Sequence, residues 1–220
     1  MKSKSNYKHK GLDTVFGDVV YRSKAEAFWA CFLTEVDVRF EYEPRKFSLN
    51  NHNGYIPDFW LNDQKIWVEI KNSDMITEDE KAKSNGLFEI DDHEVFTING
   101  LPTINSFHSP FATKEDPKYT EEISGFGICL SNKDYKCEPF VIDLSSSVTM
   151  AFMLGMLPDS KTYSESEYQK FSYKFCSAAR FSSEYFDLKL IGDIIVEGSY
   201  RESDSFIKNR SRDSFFKSDI

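Results

Sequence analysis

Residues 54–71, from Gly54 to Lys71, constrain the fold more tightly than any other stretch of the chain. Apolar and polar side chains alternate through Lys65–Lys71. Ile66, Val68 and Ile70 fall on one face, and Trp67, Glu69 and Lys71 on the other. This is the period-two pattern of a half-buried strand. Pro57 to Leu61 reads as a shorter strand in which Asp58 and Trp60 share a face, and Asn62, Asp63 and Gln64 between the runs have the composition of a hairpin loop. Two antiparallel strands joined there set Asp58 next to Glu69.

Carboxylates held in this way suit a hard divalent cation such as magnesium, which takes oxygen ligands and keeps waters. A bound metal lowers the pKa of its water and stabilises charge on a phosphoryl oxygen. Lys71 beside it orients or deprotonates the attacking water, or offsets transition-state charge. The plainer alternative is a solvated Glu69–Lys71 ion pair on an exposed strand face, which contributes little. A three-residue pattern alone does not separate the two.

The larger arrangement is Pro57-Asp58, ten residues (59–68), then Glu69, Ile70 and Lys71. It resembles the signature of the PD-(D/E)XK nuclease superfamily. Tyr21 to Ala30, with Arg22, Ser23 and Glu26, followed by Phe40 to Pro44, resembles the opening helix and next strand of small phage-type members. The resemblance covers residues 20 to 100 well and the remainder loosely. It implies an α/β fold in which a mixed central β-sheet is flanked by helices around a restriction-endonuclease-like core. It also implies a Mg2+-dependent deoxyribonuclease, with Mn2+ able to substitute, that hydrolyses phosphodiester bonds in DNA as an endonuclease of phage or mobile-element origin. In that family pattern Asp58 and Glu69 ligate the metal, Ile70 offers its backbone carbonyl, Glu26 assists metal or water binding, and Lys71 completes the catalytic set.

Glu26 carries two readings. Ser23 and Glu26 have capping-box spacing, in which the glutamate bonds back to the helix start. Glu26 also lies on the stripe of Trp29, Ala30 and Leu33, facing inward from an apolar side, and a carboxylate there needs a partner. Arg22, one turn earlier, is either that partner or a phosphate contact.

Thr77 to Gly86 predicts a helix with Thr77 as N-cap, Glu80 as its box partner and Gly86 near its end. Glu94 to Ile98 predicts a fourth core strand. Leu101 to Tyr119, with Pro102, Pro110 and Pro117, predicts a long irregular connection. Gly125–Leu130 and Pro139–Leu144 predict two more strands around a turn at Asn132–Asp134, which extend the sheet or form a hairpin beside it. Ser164 to Lys189 has the apolar recurrence of a helix, and its Ala178–Phe181 end resembles the last helix of the phage-type nucleases. Core packing is the expected role of Tyr168, Phe171 and Phe175, with base stacking the alternative. Arg180 is a candidate phosphate contact. Val148 to Leu157 is too short to span a bilayer and reads as a buried segment or partner surface.

At 220 residues, 40% hydrophobic and 15% aromatic, the chain has enough apolar surface for one core. The expected organisation is a basic arm (1–19), one domain (20–198) and a flexible C-terminal tail (199–220) with basic and phenylalanine residues interleaved. Cys31, Cys129, Cys137 and Cys176 show no zinc-type spacing and read as buried free thiols. With no signal core after the basic N-terminus, a cytoplasmic protein without membrane association is expected. The net charge of -9 opposes generic nucleic-acid binding. DNA binding then calls for the metal, the basic termini or a protein partner that supplies affinity, and cutting both strands suggests a homodimer. Two further classes stand beside the deoxyribonuclease. One is a catalytically silent nuclease-fold module that occupies DNA or a host protein; the other is an RNA-directed enzyme.

Overall fold

The computed structural model describes residues 12–50, 52–71, 76–108, 111–124, 126–131, 138–141, 146–156 and 164–188. Residues 1–11, the 132–134 turn, Cys137, Lys189 and the 199–220 tail lie outside them.

Alternation in the Gly54–Lys71 segment produces the expected hairpin. β6 (Phe59–Leu61) pairs antiparallel with β7 (Ile66–Lys71), with Phe59 opposite Val68 and Trp60 opposite Trp67. The chain then forms α2 (Glu78–Asp91) and returns as β8 (Val95–Asn99), parallel to β7. A parallel neighbour requires such a crossover. β3 (Phe40–Tyr42) pairs with β6 on one side, while β11 (Gly127–Ser131) and β12 (Glu138–Val141) continue the sheet beyond β8. The resulting mixed sheet has the order β12-β11-β8-β7-β6-β3, so the two late strands extend it.

β7 is buried on both faces, not one. Ile66, Val68 and Ile70 join the main core with α1 (Lys24–Glu35) and α4 (Glu165–Tyr185). Trp67 enters a second cluster with Phe47, Leu49, Leu87 and Val95, formed by α2 and the hairpin of β4 (Phe47–Leu49) and β5 (His52–Tyr55). Helices therefore cover the two sides of the sheet, and the fold is α/β. Every residue of α1 from Ala25 to Leu33 is buried, so the Trp29 stripe is one part of a helix enclosed on all sides.

Helix α2 begins at the expected Thr77–Glu80 capping box but runs past Gly86 to Asp91, where Asp92 in a left-handed conformation ends it. Leu87, fully buried in the second cluster, explains the continuation. The Leu101–Tyr119 connection also contains more order than its prolines imply. β9 (Thr103–His108) pairs along its whole length with β10 (Tyr119–Ser124), and this ladder packs on α4. Residues 14–21, placed by composition across the arm and the domain start, form the hairpin of β1 (Thr14–Phe16) and β2 (Val19–Tyr21), with Phe16 against Tyr185 and Phe186.

The apolar Val148 region contributes α3 (Ser146–Met153), with Met150, Ala151 and Met153 buried. On α4, Tyr168, Phe171, Phe175, Ala178 and Ala179 are buried in the core. Cys31, Cys129 and Cys176 are free and buried. Among the described residues, no helix is long and apolar enough to cross a membrane.

Candidate active site

Asp58 ends the loop that leads into β6, opposite the last residues of β7. Its Oδ2 accepts the Ile70 backbone N–H at 2.6 Å, and its Oδ1 accepts Arg22 Nη2 at 2.9 Å. The backbone N–H and C=O of one strand residue point to the same side, so the Ile70 carbonyl faces the Asp58 side as well. The Lys71 carbonyl points the other way and accepts from Gly100 N at 2.8 Å; the Gly100 carbonyl is in turn held by the Trp29 indole at 3.2 Å. α1 and the turn after β8 thus fix the end of β7.

Glu69 and Lys71 share the Trp67 face, as alternation predicts, and form an ion pair. It is not a solvated pair on an exposed face: Glu69 is 6% exposed and the Lys71 side chain 24% exposed. The second Glu69 oxygen, Oε2, accepts the Tyr55 hydroxyl at 2.9 Å.

Glu26 serves both of its predicted purposes in modified form. Ser23 caps α1 by accepting from the Glu26 N–H at 3.1 Å, and the Ser23 hydroxyl donates to Glu26 Oε1 at 2.7 Å. The other oxygen, Oε2, accepts the Tyr42 hydroxyl at 2.6 Å, and the side chain is only 7% exposed. Its partners are thus Ser23 and Tyr42. Arg22 instead pairs with Asp58 and Glu43, and its backbone N–H donates to the Tyr42 hydroxyl at 3.0 Å.

Burial pushes the Asp58 carboxyl well above the usual carboxylate range. The Glu69 charge adds to this, Lys71 pulls the other way, and Glu26 and the Ile70 N–H act more weakly with opposite signs. Burial also works against the Lys71 ammonium, but Glu69 and Asp58 together more than offset it and raise its pKa. The site therefore crowds three buried carboxyl groups, Glu26, Asp58 and Glu69, beside a protonated lysine.

The structure brings together Arg22, Glu26, Asp58, Glu69, Ile70 and Lys71. Arg180 stands apart on α4, where its guanidinium pairs with Glu121 of β10 at 2.6 Å. Tyr42 and Tyr55 are the site residues the sequence did not announce. Tyr55 stands three places before Asp58, but its reach to Glu69 depends on how the β4–β5 hairpin lies over the sheet.

Among the described residues, no group of three or more His, Cys, Asp or Glu side chains has a metal-holding arrangement. The smaller set of Asp58, Glu69 and the Ile70 carbonyl supplies only oxygens, the donor type that a hard cation takes. Each carboxylate oxygen of Asp58 and Glu69 accepts a protein hydrogen bond and retains lone-pair capacity, since a carboxylate offers about four acceptor positions. An added positive charge would also relieve the repulsion that raises Asp58.

Comparisons with protein-family models, with curated proteins and with solved structures found no match.

Proposed function

We propose that this chain is a metal-dependent nuclease that hydrolyses phosphodiester bonds in DNA, an endonuclease with a PD-(D/E)XK-type site. The observation that carries the reading is the Asp58–Ile70 hydrogen bond. It joins the carboxylate before β6 to the strand that presents Glu69 and Lys71, so the motif-spaced residues form one cluster in which both carboxylates are buried.

Asp58, Glu69 and the Ile70 carbonyl would hold Mg2+, with Mn2+ as a substitute. When bound, this ion lowers the pKa of its water and offsets charge on the phosphoryl oxygens. Lys71, held beside Glu69, orients or deprotonates the attacking water or offsets developing charge. Glu26 acts from the end of α1 as an accessory group, tied by Tyr42 to the Arg22 backbone. The phage or mobile-element origin rests on the motif resemblance alone.

Incubation of the wild type and Lys71→Ala with supercoiled, linear and single-stranded DNA tests the reading, with magnesium, manganese or chelator present. Metal-dependent cleavage by the wild type alone supports it. Retained cleavage in the variant, or cleavage in chelator, overturns it.

A second reading is a silent nuclease-fold module that binds DNA or a protein. It is favoured by the oxygens of Glu26, Asp58 and Glu69, each of which already has a protein donor. Retardation of DNA in a gel without cleavage under every metal condition would select it.

A further inference from the structure

The inference rests on the metal-binding reading and concerns the cation that already sits at Asp58. Of the two Asp58 oxygens, Oδ2 is fixed to the strand by the Ile70 N–H at 2.6 Å. The other, Oδ1, is held by Arg22 at 2.9 Å. Asp58 is almost wholly enclosed, whereas the Arg22 side chain is 54% exposed, so the guanidinium is the member of the pair that is free to leave.

Arg22 is also built to move only at its tip. Its backbone N–H is pinned to the Tyr42 hydroxyl at 3.0 Å, which donates onward to Glu26 at 2.6 Å. The guanidinium bridges Asp58 and Glu43, so an alternative carboxylate partner is within reach without a backbone shift. A guanidinium and a divalent cation on the same carboxylate repel each other, and partial burial strengthens that repulsion relative to water.

We propose that Arg22 is an exchangeable counter-cation: it neutralises Asp58 in the metal-free protein, yields Oδ1 when a divalent cation loads, and then presents its freed guanidinium to a nucleic-acid phosphate. The planar fork of arginine matches a phosphate with two parallel hydrogen bonds. Metal loading and phosphate binding are thereby linked through one side chain, and a chain of net charge -9 exposes a phosphate-binding cation where the site is charged with metal.

The test is calorimetric titration of MgCl2 into the wild type, Arg22→Gln, Glu43→Gln and Arg39→Gln, together with duplex-DNA binding in Ca2+. Removing the competing cation makes Arg22→Gln bind Mg2+ about tenfold more tightly while duplex binding falls. Loss of a merely structural residue would weaken both. Glu43→Gln removes the charge of the alternative partner, favours Arg22 on Asp58 and weakens Mg2+ binding, so the proposal can still be judged if Arg22→Gln fails to fold. Arg39 pairs with exposed Asp63, and Arg39→Gln serves as a control that matches the wild type. Equal or weaker Mg2+ binding by Arg22→Gln, with a wild type that does bind Mg2+, overturns the exchange and leaves the metal site standing. Unchanged duplex binding overturns the phosphate role. A wild type that takes up no Mg2+ overturns the exchange and the metal-binding reading together.

Discussion

The Ile70 amide donates to Asp58 Oδ2 at 2.6 Å, so the strand bearing Glu69 and Lys71 also orients the carboxylate that precedes its neighbour. Metal-ligand candidates on β7 and in the loop before β6 are held by one backbone bond, and removing a single member lowers activity while its effect on stability depends on which member is removed.

Lys71→Ala is expected to lower DNA cleavage by at least about a hundredfold, the scale of losing one preorganised electrostatic group. It also leaves the buried Glu69 without its cation. Breaking such a pair costs about 3 kcal/mol, so the variant should unfold at lower urea concentration. Because Glu69 is buried, this mutation is not neutral for folding, as it would be on an exposed strand face.

Asp58→Asn should abolish cleavage and yet melt at or above the wild-type temperature in chelator. The Asp58 pKa is raised in the fold, so its stabilising contribution belongs to the protonated form and is lost as pH rises above the usual carboxylate range. Asparagine mimics that neutral form and can still accept from Ile70, and the Arg22 pair that it gives up contributes little because the guanidinium is half exposed. A large drop in melting temperature at pH 7 would contradict this account.

Tyr55→Phe removes the hydroxyl that holds Glu69 Oε2. Cleavage should slow by about tenfold, while stability changes by only about 1 kcal/mol, the net value of one hydrogen bond. Paired kinetic and denaturation measurements separate the two effects.

Glu122 on β10 is fully buried, and among the described residues neither of its oxygens has a well-aligned hydrogen bond. Burial raises its pKa to about 7, against a weaker pull from the Ser147 backbone. The neutral form is favoured in the fold, so its contribution is full below the ordinary glutamate pKa and is lost as pH rises from about 4.5 through about 7. That loss amounts to about 3 kcal/mol at about 1.4 kcal/mol per pKa unit. Denaturation at pH 5 and pH 8 should show a decline in the wild type that is smaller in Glu122→Gln.

Gly86→Ala should stabilise the protein by about 0.5–1 kcal/mol, because Gly86 lies within α2 and alanine costs less backbone entropy there. An added Cβ meets the Leu49 side chain at 3.7 Å, ordinary contact distance. A lower melting temperature would show that the β4–β5 hairpin resists even that contact.

The features legible in the sequence are those whose physical basis is local. Alternation through Ile66–Lys71 places Glu69 and Lys71 on one face because successive strand side chains point to opposite sides. The Thr77–Glu80 box marks the start of α2 because both groups lie within one turn. The end of that helix was not legible, since Leu87 is drawn onward by Phe47, Leu49 and Trp67 from other elements. β9 was hidden for the same reason: its order comes from its ladder with β10, across the proline-containing loop.

Sequence alone determined which carboxylates and which lysine are spaced to meet at the β6–β7 hairpin, because pleat and loop length set that register locally. Only the tertiary structure decided what these groups are: carboxylates buried rather than solvated, with Tyr42 and Tyr55 on the glutamates and Arg22 on Asp58. Burial and charge depend on what covers each face. Here the covering elements are α1, β3 and the β4–β5 hairpin, and their approach is set by packing rather than by any pattern within the hairpin itself.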